Sequence, residues 1–140
     1  MINTNTAPYG ALVLRLGLGV MFIAHALLKL LVFTLPGTVK FFETVGYPGF
    51  VAYVVVAAEL IGGGLLVLGV YTRWVALALI PILLGAALVH APNGWVFSAP
   101  NGGWEYPAFL AVASLAQALI GEGALALRAS SAAVAHRQPA

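Results

Sequence analysis

The stretch Phe50–Val70, FVAYVVVAAELIGGGLLVLGV, decides the fold. It holds one charged residue, Glu59, and is long enough for a helix to cross the hydrocarbon core of a bilayer, which takes about 20 apolar residues. A soluble protein has no use for such a run at its surface. The rest of the chain repeats the pattern, with apolar spans near 10–33, 49–70, 73–91 and 106–127. None alternates as a membrane barrel strand does. Over 140 residues, 62% are hydrophobic and 7% charged, against about a quarter charged in a soluble domain. Mean hydropathy is +1.03. The expected fold is all-α: a single domain forming an integral membrane four-helix up-down bundle, followed by a short flexible tail over 129–140.

Composition also excludes chemistry. The chain has no cysteine, so it forms no disulfide, Fe–S ligation or CxxC redox centre of its own. It has no aspartate, hence no Ser/His/Asp triad. There is no GxGxxG or GxxxxGK loop, and no basic cluster of the kind that binds nucleic acid. The start, MINTNTAPYG, lacks the positive region of a signal peptide, so the first apolar run is read as a retained helix.

Loops give the spans a direction. Leu35-Pro36-Gly37 is expected to end the first helix, with an interfacial helix over 37–45 carrying Phe41 and Phe42. Gly69 to Arg73 is a tight turn, which makes the second and third spans antiparallel neighbours. The third connection contains a short echo, Ala91-Pro92-Asn93-Gly94-Trp95 and Ala99-Pro100-Asn101-Gly102-Gly103-Trp104, read as two turns. Arg73, Arg128 and Arg137, with Arg15 just inside the first span, lie on one side, and Lys40 and Lys29 on the other. The positive-inside rule then puts both termini in the cytoplasm. Tyr71 and Trp74 would mark the inner interface, and Trp95, Trp104 and Tyr106 the outer one.

Ionisable residues within spans cost roughly 2.5–3.5 kcal/mol each on insertion scales and face the bundle interior. At about 100° per residue, Arg15, His25 and Lys29 fall within roughly an 80° arc of the first helix, with Leu18 and Phe22. Glu59 lies near the midplane of the second helix, beside the small residues Ala58, Gly62, Gly63 and Gly64 that let another backbone approach. His90 ends the third span, Pro81 interrupts it, and Glu105 and Tyr106 open the fourth. Topology therefore gathers His25, Lys29, Glu59, His90 and Glu105 toward the outer end. A carboxyl beside a close helix contact is protonated or paired with a cation, here Lys29, His25 or Arg15. The set reads either as an ion-paired network that fixes helix register or as a functional pocket. As a pocket it suits a quinone or similar small amphiphile, whose ring oxygens His and Tyr can hydrogen-bond while Lys or Glu moves protons. Haem ligation by His25 and His90, or zinc held by His25, His90, Glu59 and Glu105, has no further signature, and no metal is assigned. Gln117 and Glu122 are weaker candidates, Glu122 being expected at the inner interface.

The sequence resembles the DoxX family of small four-helix bacterial membrane proteins. The resemblance rests on Leu14-Arg15 with Gly17 or Gly19, His25 and Lys29-Leu30, then Phe42-x-x-x-Gly46-x-Pro48. It continues through Glu59-x-x-Gly62-Gly63, Leu68-Gly69-x-x-Thr72-Arg73, His90 and Gly102-Gly103-x-Glu105-Tyr106. The family's His-Gly is His25-Ala26 here, and Pro81 stands where members often have methionine. The resemblance implies the bacterial inner membrane. It also implies a redox role, since relatives look like subunits of thiosulfate:quinone oxidoreductase or accompany quinone or catechol detoxification and thiol-stress complexes. On this reading His25, Lys29, Glu59, His90 and Glu105 do the chemistry, Phe22 and Tyr106 contact substrate, and Arg15 and Arg73 are structural charge anchors. Electrons would come from a redox partner protein or a bound cofactor, and the chain could form a homo-oligomer. The rival expectations are a non-enzymatic accessory subunit and a small transporter with a polar path from Glu105 and His90 through Glu59 to Arg15.

Overall fold

A computed structural model describes residues 3–128. The tail expected over 129–140 and Arg137 lie outside the described residues. The chain is all-helical: α1 (Ala7–Leu27), α2 (Leu35–Thr44), α3 (Phe50–Leu68), α4 (Thr72–His90) and α5 (Glu105–Ile120). Helix α1 runs on into a π-helical turn, Leu28–Val32. Helix α4 is followed by a 3-10 turn, Ala91–Asn93.

The helices alternate in direction, and the contacts show it. Ascending α1 from Arg15 through Gly19 to Lys29, the partners on α3 descend from Gly69 through Gly63 to Glu59. Three residues join α3 to α4, which pack together as an antiparallel pair. The start of α4 meets the end of α5, where a Cβ on Gly121 would lie 2.9 Å from Arg73 Nη2. The four long helices thus form an up-down bundle, with α2 laid against α3 at one end. Leu18, Phe22, Leu66, Leu79, Leu83 and Leu110 fill its core.

Close approach of α1 and α3 depends on two glycines. A Cβ on Gly63 would lie 2.8 Å from the Gly19 carbonyl oxygen, and one on Gly19 would lie 2.8 Å from that of Gly63. Gly62 faces the other way, against Leu79 of α4 at 3.0 Å. The small-residue cluster therefore serves two helix contacts at once, as small residues do where helices pack in lipid.

Two boundaries differ from expectation. Pro36 does not end the first helix. It sits in the first turn of α2, whose N-cap Thr34 accepts a hydrogen bond from Gly37 N–H at 3.3 Å. Proline suits that position because the first N–H groups of a helix lack intrahelical partners. The fourth span is also shorter than 106–127. Three helices have the length and apolarity to cross a membrane, Ala7–Val32, Phe50–Leu68 and Thr72–Asn93, whereas α5 has 16 residues, about 24 Å of rise. It stops because Gly121 and Gly123 take φ of 95° and 72°, a region open to glycine and closed to most other residues.

Residues 121–128 cross the end of the bundle instead, from the start of α1 to the end of α3. Ala124 N–H donates to the Pro8 carbonyl at 2.9 Å, Leu127 N–H to Leu68 at 3.2 Å, and Arg128 N–H to Gly69 at 3.0 Å. Tyr71 N–H donates to Arg128 at 3.1 Å. Non-helical backbone at this depth is tolerated because its polar groups are satisfied by protein.

Candidate functional site

The two ends of the bundle carry different chemistry. At one end Arg15 is only 1% exposed. Its Nη2 donates to the Ala124 carbonyl at 3.3 Å, and its guanidinium occupies the place where a side chain on Gly69 would begin. Glu122 is close enough to interact with it electrostatically. Arg73 lies against Gly121, and Arg128 sits over the Tyr71 ring at 4.8 Å. Thr72, Ser114 and Gln117 are fully buried in the bundle, and the Gln117 amide donates to Gly121 at 2.6 Å. The sequence reading did not foresee Ser114, Thr72 or a buried Gln117.

The other end encloses a cavity of about 720 Å³. Phe22, His25, Lys29, Glu59, His90 and Tyr106 all line it, with Pro81 and Ile82 of α4 and Phe42 and Val45 of α2. Lys29, Glu59, His25 and Tyr106 form a polar patch on a largely apolar wall. Lys29 Nζ donates to both carboxylate oxygens of Glu59, each at 2.8 Å. The pair is largely buried, with side chains 19% and 7% exposed. A charge-assisted contact in this setting is stronger than one at a water-facing surface.

The π turn helps place Lys29. Phe33 N–H bonds to Leu28 rather than Lys29, so the Lys29 carbonyl is free of the helix ladder. The Thr38 hydroxyl lies 3.0 Å from it and equally 3.0 Å from the Thr34 carbonyl, so its single proton is shared between the two and ties α2 to the residue that carries the ammonium. π turns recur at functional sites. Thr38 is buried and was missed because the Pro36-Gly37 segment read as a boundary.

His25 Nδ1 lies 2.8 Å from the Met21 carbonyl. A carbonyl only accepts, so Nδ1 carries the proton, and the neutral ring presents Nε2 as an acceptor. The ring stacks on Tyr106, centroids 5.5 Å apart at 26°. The Tyr106 hydroxyl is buried and has no hydrogen-bond partner among the described residues. Buried tyrosine hydroxyls normally find one, so this donor is available to a guest. His90 Nδ1 donates to the Asn101 carbonyl at 3.0 Å, which fixes its tautomer in the same way.

Glu105 does not join this patch. Its Oε1 accepts from Phe97 N–H at 2.9 Å, and it lines a shallow groove with Trp95, Phe97 and Trp104 instead. The structure thus brings His25, Lys29, Glu59, His90, Phe22 and Tyr106 to one cavity, sets Glu105 at the start of α5 against the covering loop, and leaves Arg15 and Arg73 at the far end. Among the described residues no three His, Cys, Asp or Glu side chains cluster as a metal site.

Fold and site together define a small helical membrane protein with a polar patch in an end cavity. The sequence model of the DoxX family matches residues 10–92. A Bacillus subtilis (strain 168) protein named "Putative oxidoreductase CatD" is 38% identical over 119 residues, covering 84% of each chain. No solved structure matches significantly. The chain belongs to the DoxX family and is a bacterial membrane protein.

Proposed function

We propose that this chain is a membrane redox protein, or the membrane subunit of a redox complex, that takes a quinone-like substrate into the end cavity. The observation that carries the reading is the juxtaposition of the Lys29–Glu59 pair with the stacked His25–Tyr106 rings on one cavity wall. The Tyr106 hydroxyl and the Lys29 ammonium suit a ring carbonyl, while His25 Nε2 suits a ring hydroxyl. The same groups therefore meet both members of a quinone/quinol couple and exchange protons with either. Interconversion moves two electrons and two protons. The chain has no cysteine, so it supplies no thiol redox couple of its own, and the electrons come from a partner protein or a bound cofactor. The name of the Bacillus subtilis relative is consistent with this role.

The arginine end is assigned to the cytoplasmic side of the inner membrane, because Arg15, Arg73 and Arg128 gather there while Lys29 and Lys40 lie toward the other end. Both termini are then cytoplasmic, and the cavity opens in the outer half.

Solvent extraction of the protein purified from its membrane should yield a quinone, and a para-benzoquinone should quench its tryptophan fluorescence saturably. Glu59→Gln should weaken that binding at least tenfold, about 1.4 kcal/mol. A Glu59→Leu protein that folds, binds and functions normally refutes the pocket.

A further inference from the structure

The cavity has two boundaries through which a guest could come. One is its roof, residues 91–104, which is laced shut by hydrogen bonds. Trp104 N–H donates to Gly94 and Glu105 N–H to Trp95, both at 3.1 Å. The Glu105 carboxylate accepts from Phe97 N–H at 2.9 Å. The Asn93 amide donates to the carbonyls of Gly102 at 2.8 Å and Asn101 at 3.2 Å. Opening the roof to water means breaking these together.

The other boundary is lateral, between α2 and α3. Among the described residues no hydrogen bond joins these two helices across the cavity wall. Phe42, Val45, Val51 and Val54 line the cavity on this side, and all four are apolar. Phe41 and Val54 line the cavity and are still 49% and 58% exposed, so the cavity reaches the apolar flank of the bundle there. Thr38 anchors only the first turn of α2. Its far half ends at Thr44, two residues before Gly46, where φ is 90°. The polar patch lies deep, and the gap is apolar.

We infer that the ligand is a bilayer-dissolved amphiphile that enters between α2 and α3, ring toward Lys29, Glu59, His25 and Tyr106 and aliphatic tail trailing past Val54 into lipid. This rests on the ring-binding reading of the site proposed above, and it adds the route and the tail. The roof then excludes water from the ring, and Glu105 is a positioning residue that holds it.

The full chain in phosphatidylcholine vesicles tests this with a para-benzoquinone bearing a decyl tail and the same ring without a tail. Val54→Trp narrows the gap at a site that already faces outward. It should weaken binding of the tailed probe at least tenfold and change the tailless one less than twofold, whereas Val96→Trp, in the roof but outside the cavity lining, should leave the tailed probe unchanged. Because the chain has no cysteine, a spin label on Val54→Cys gives a second readout. It should be relaxed by oxygen rather than by a water-soluble nickel chelate, and be immobilised by the tailed probe. Val54→Trp without effect, or a label relaxed by nickel, overturns the lateral route while ring binding stands. If neither ring binds the unaltered protein, the proposed function falls and this inference with it.

Discussion

Glu59 is an anion in the middle of an apolar helix, and its bidentate contact with Lys29 satisfies both partners. Glu59→Gln replaces a carboxylate with an amide that meets the ammonium with one oxygen. Hydrogen bonds to charged groups contribute about 1.5–3 kcal/mol, so thermal unfolding should show a loss of that order. Replacing a buried pair together is often nearly neutral. Lys29→Met with Glu59→Leu should therefore recover most of the stability yet not the ring binding. A double variant that regains both shows that the pair serves register alone. Tyr106→Phe makes the opposite split. Its hydroxyl is buried without a partner, and an unsatisfied buried group costs about 1–3 kcal/mol. The variant should raise the melting temperature of the ligand-free protein and weaken quinone binding, as fluorescence quenching would show.

The crossing of α1 and α3 is the element-level feature most open to test. Gly63→Ala drives a methyl against the Gly19 carbonyl, and overpacking of this kind costs about 1–3 kcal/mol. Gly64→Ala is the paired control: nothing lies within 4 Å of its added carbon, and alanine is about 0.5–1 kcal/mol better than glycine inside a helix. Chemical denaturation in detergent should separate the two in sign. Thr38→Val removes the hydrogen bond to the Lys29 carbonyl, at about 1 kcal/mol. By loosening the π turn it should lower quinone affinity without touching the ligand. The three long spans and the meeting of Lys29 with Glu59 were legible in the sequence, since hydropathy reports solvent and 3.6-residue periodicity reports faces. The end of α5 was not, because Ala124 to Leu127 is as apolar as a helix, and only Gly121 and Gly123 signal the break. The Pro36 boundary was misread because proline both stops one helix and starts the next. The roof was illegible because each of its bonds uses a backbone group, which composition does not reveal, and Glu105 read as part of the site for want of that partner.

In the whole molecule, an apolar layer separates the two polar ends. Leu18 and Phe22 lie between Arg15 and His25 on α1, facing Leu79, Leu83 and Leu110. A through-path from His90 and Glu59 to Arg15 would have to cross this layer, whose side chains are mostly apolar, and this favours a pocket closed toward the arginine end. Vesicles reconstituted with the protein should hold a pH gradient as long as empty ones, measured with an entrapped dye. Rapid decay would restore the transporter reading.

The segment 121–128 also dictates when the molecule can be finished. Arg15 enters the membrane in the first span to be synthesised, yet the Ala124 carbonyl that receives it and the strand-like clasp from Arg128 to Gly69 arrive last. Until the ribosome has delivered that stretch, the guanidinium lacks the Ala124 acceptor that it has in the finished fold. A chain cut after Ile120 should therefore insert its long helices yet leave Arg15 without that acceptor, and should be cleared faster by the cell's membrane proteases than the full chain, as a pulse-chase would show.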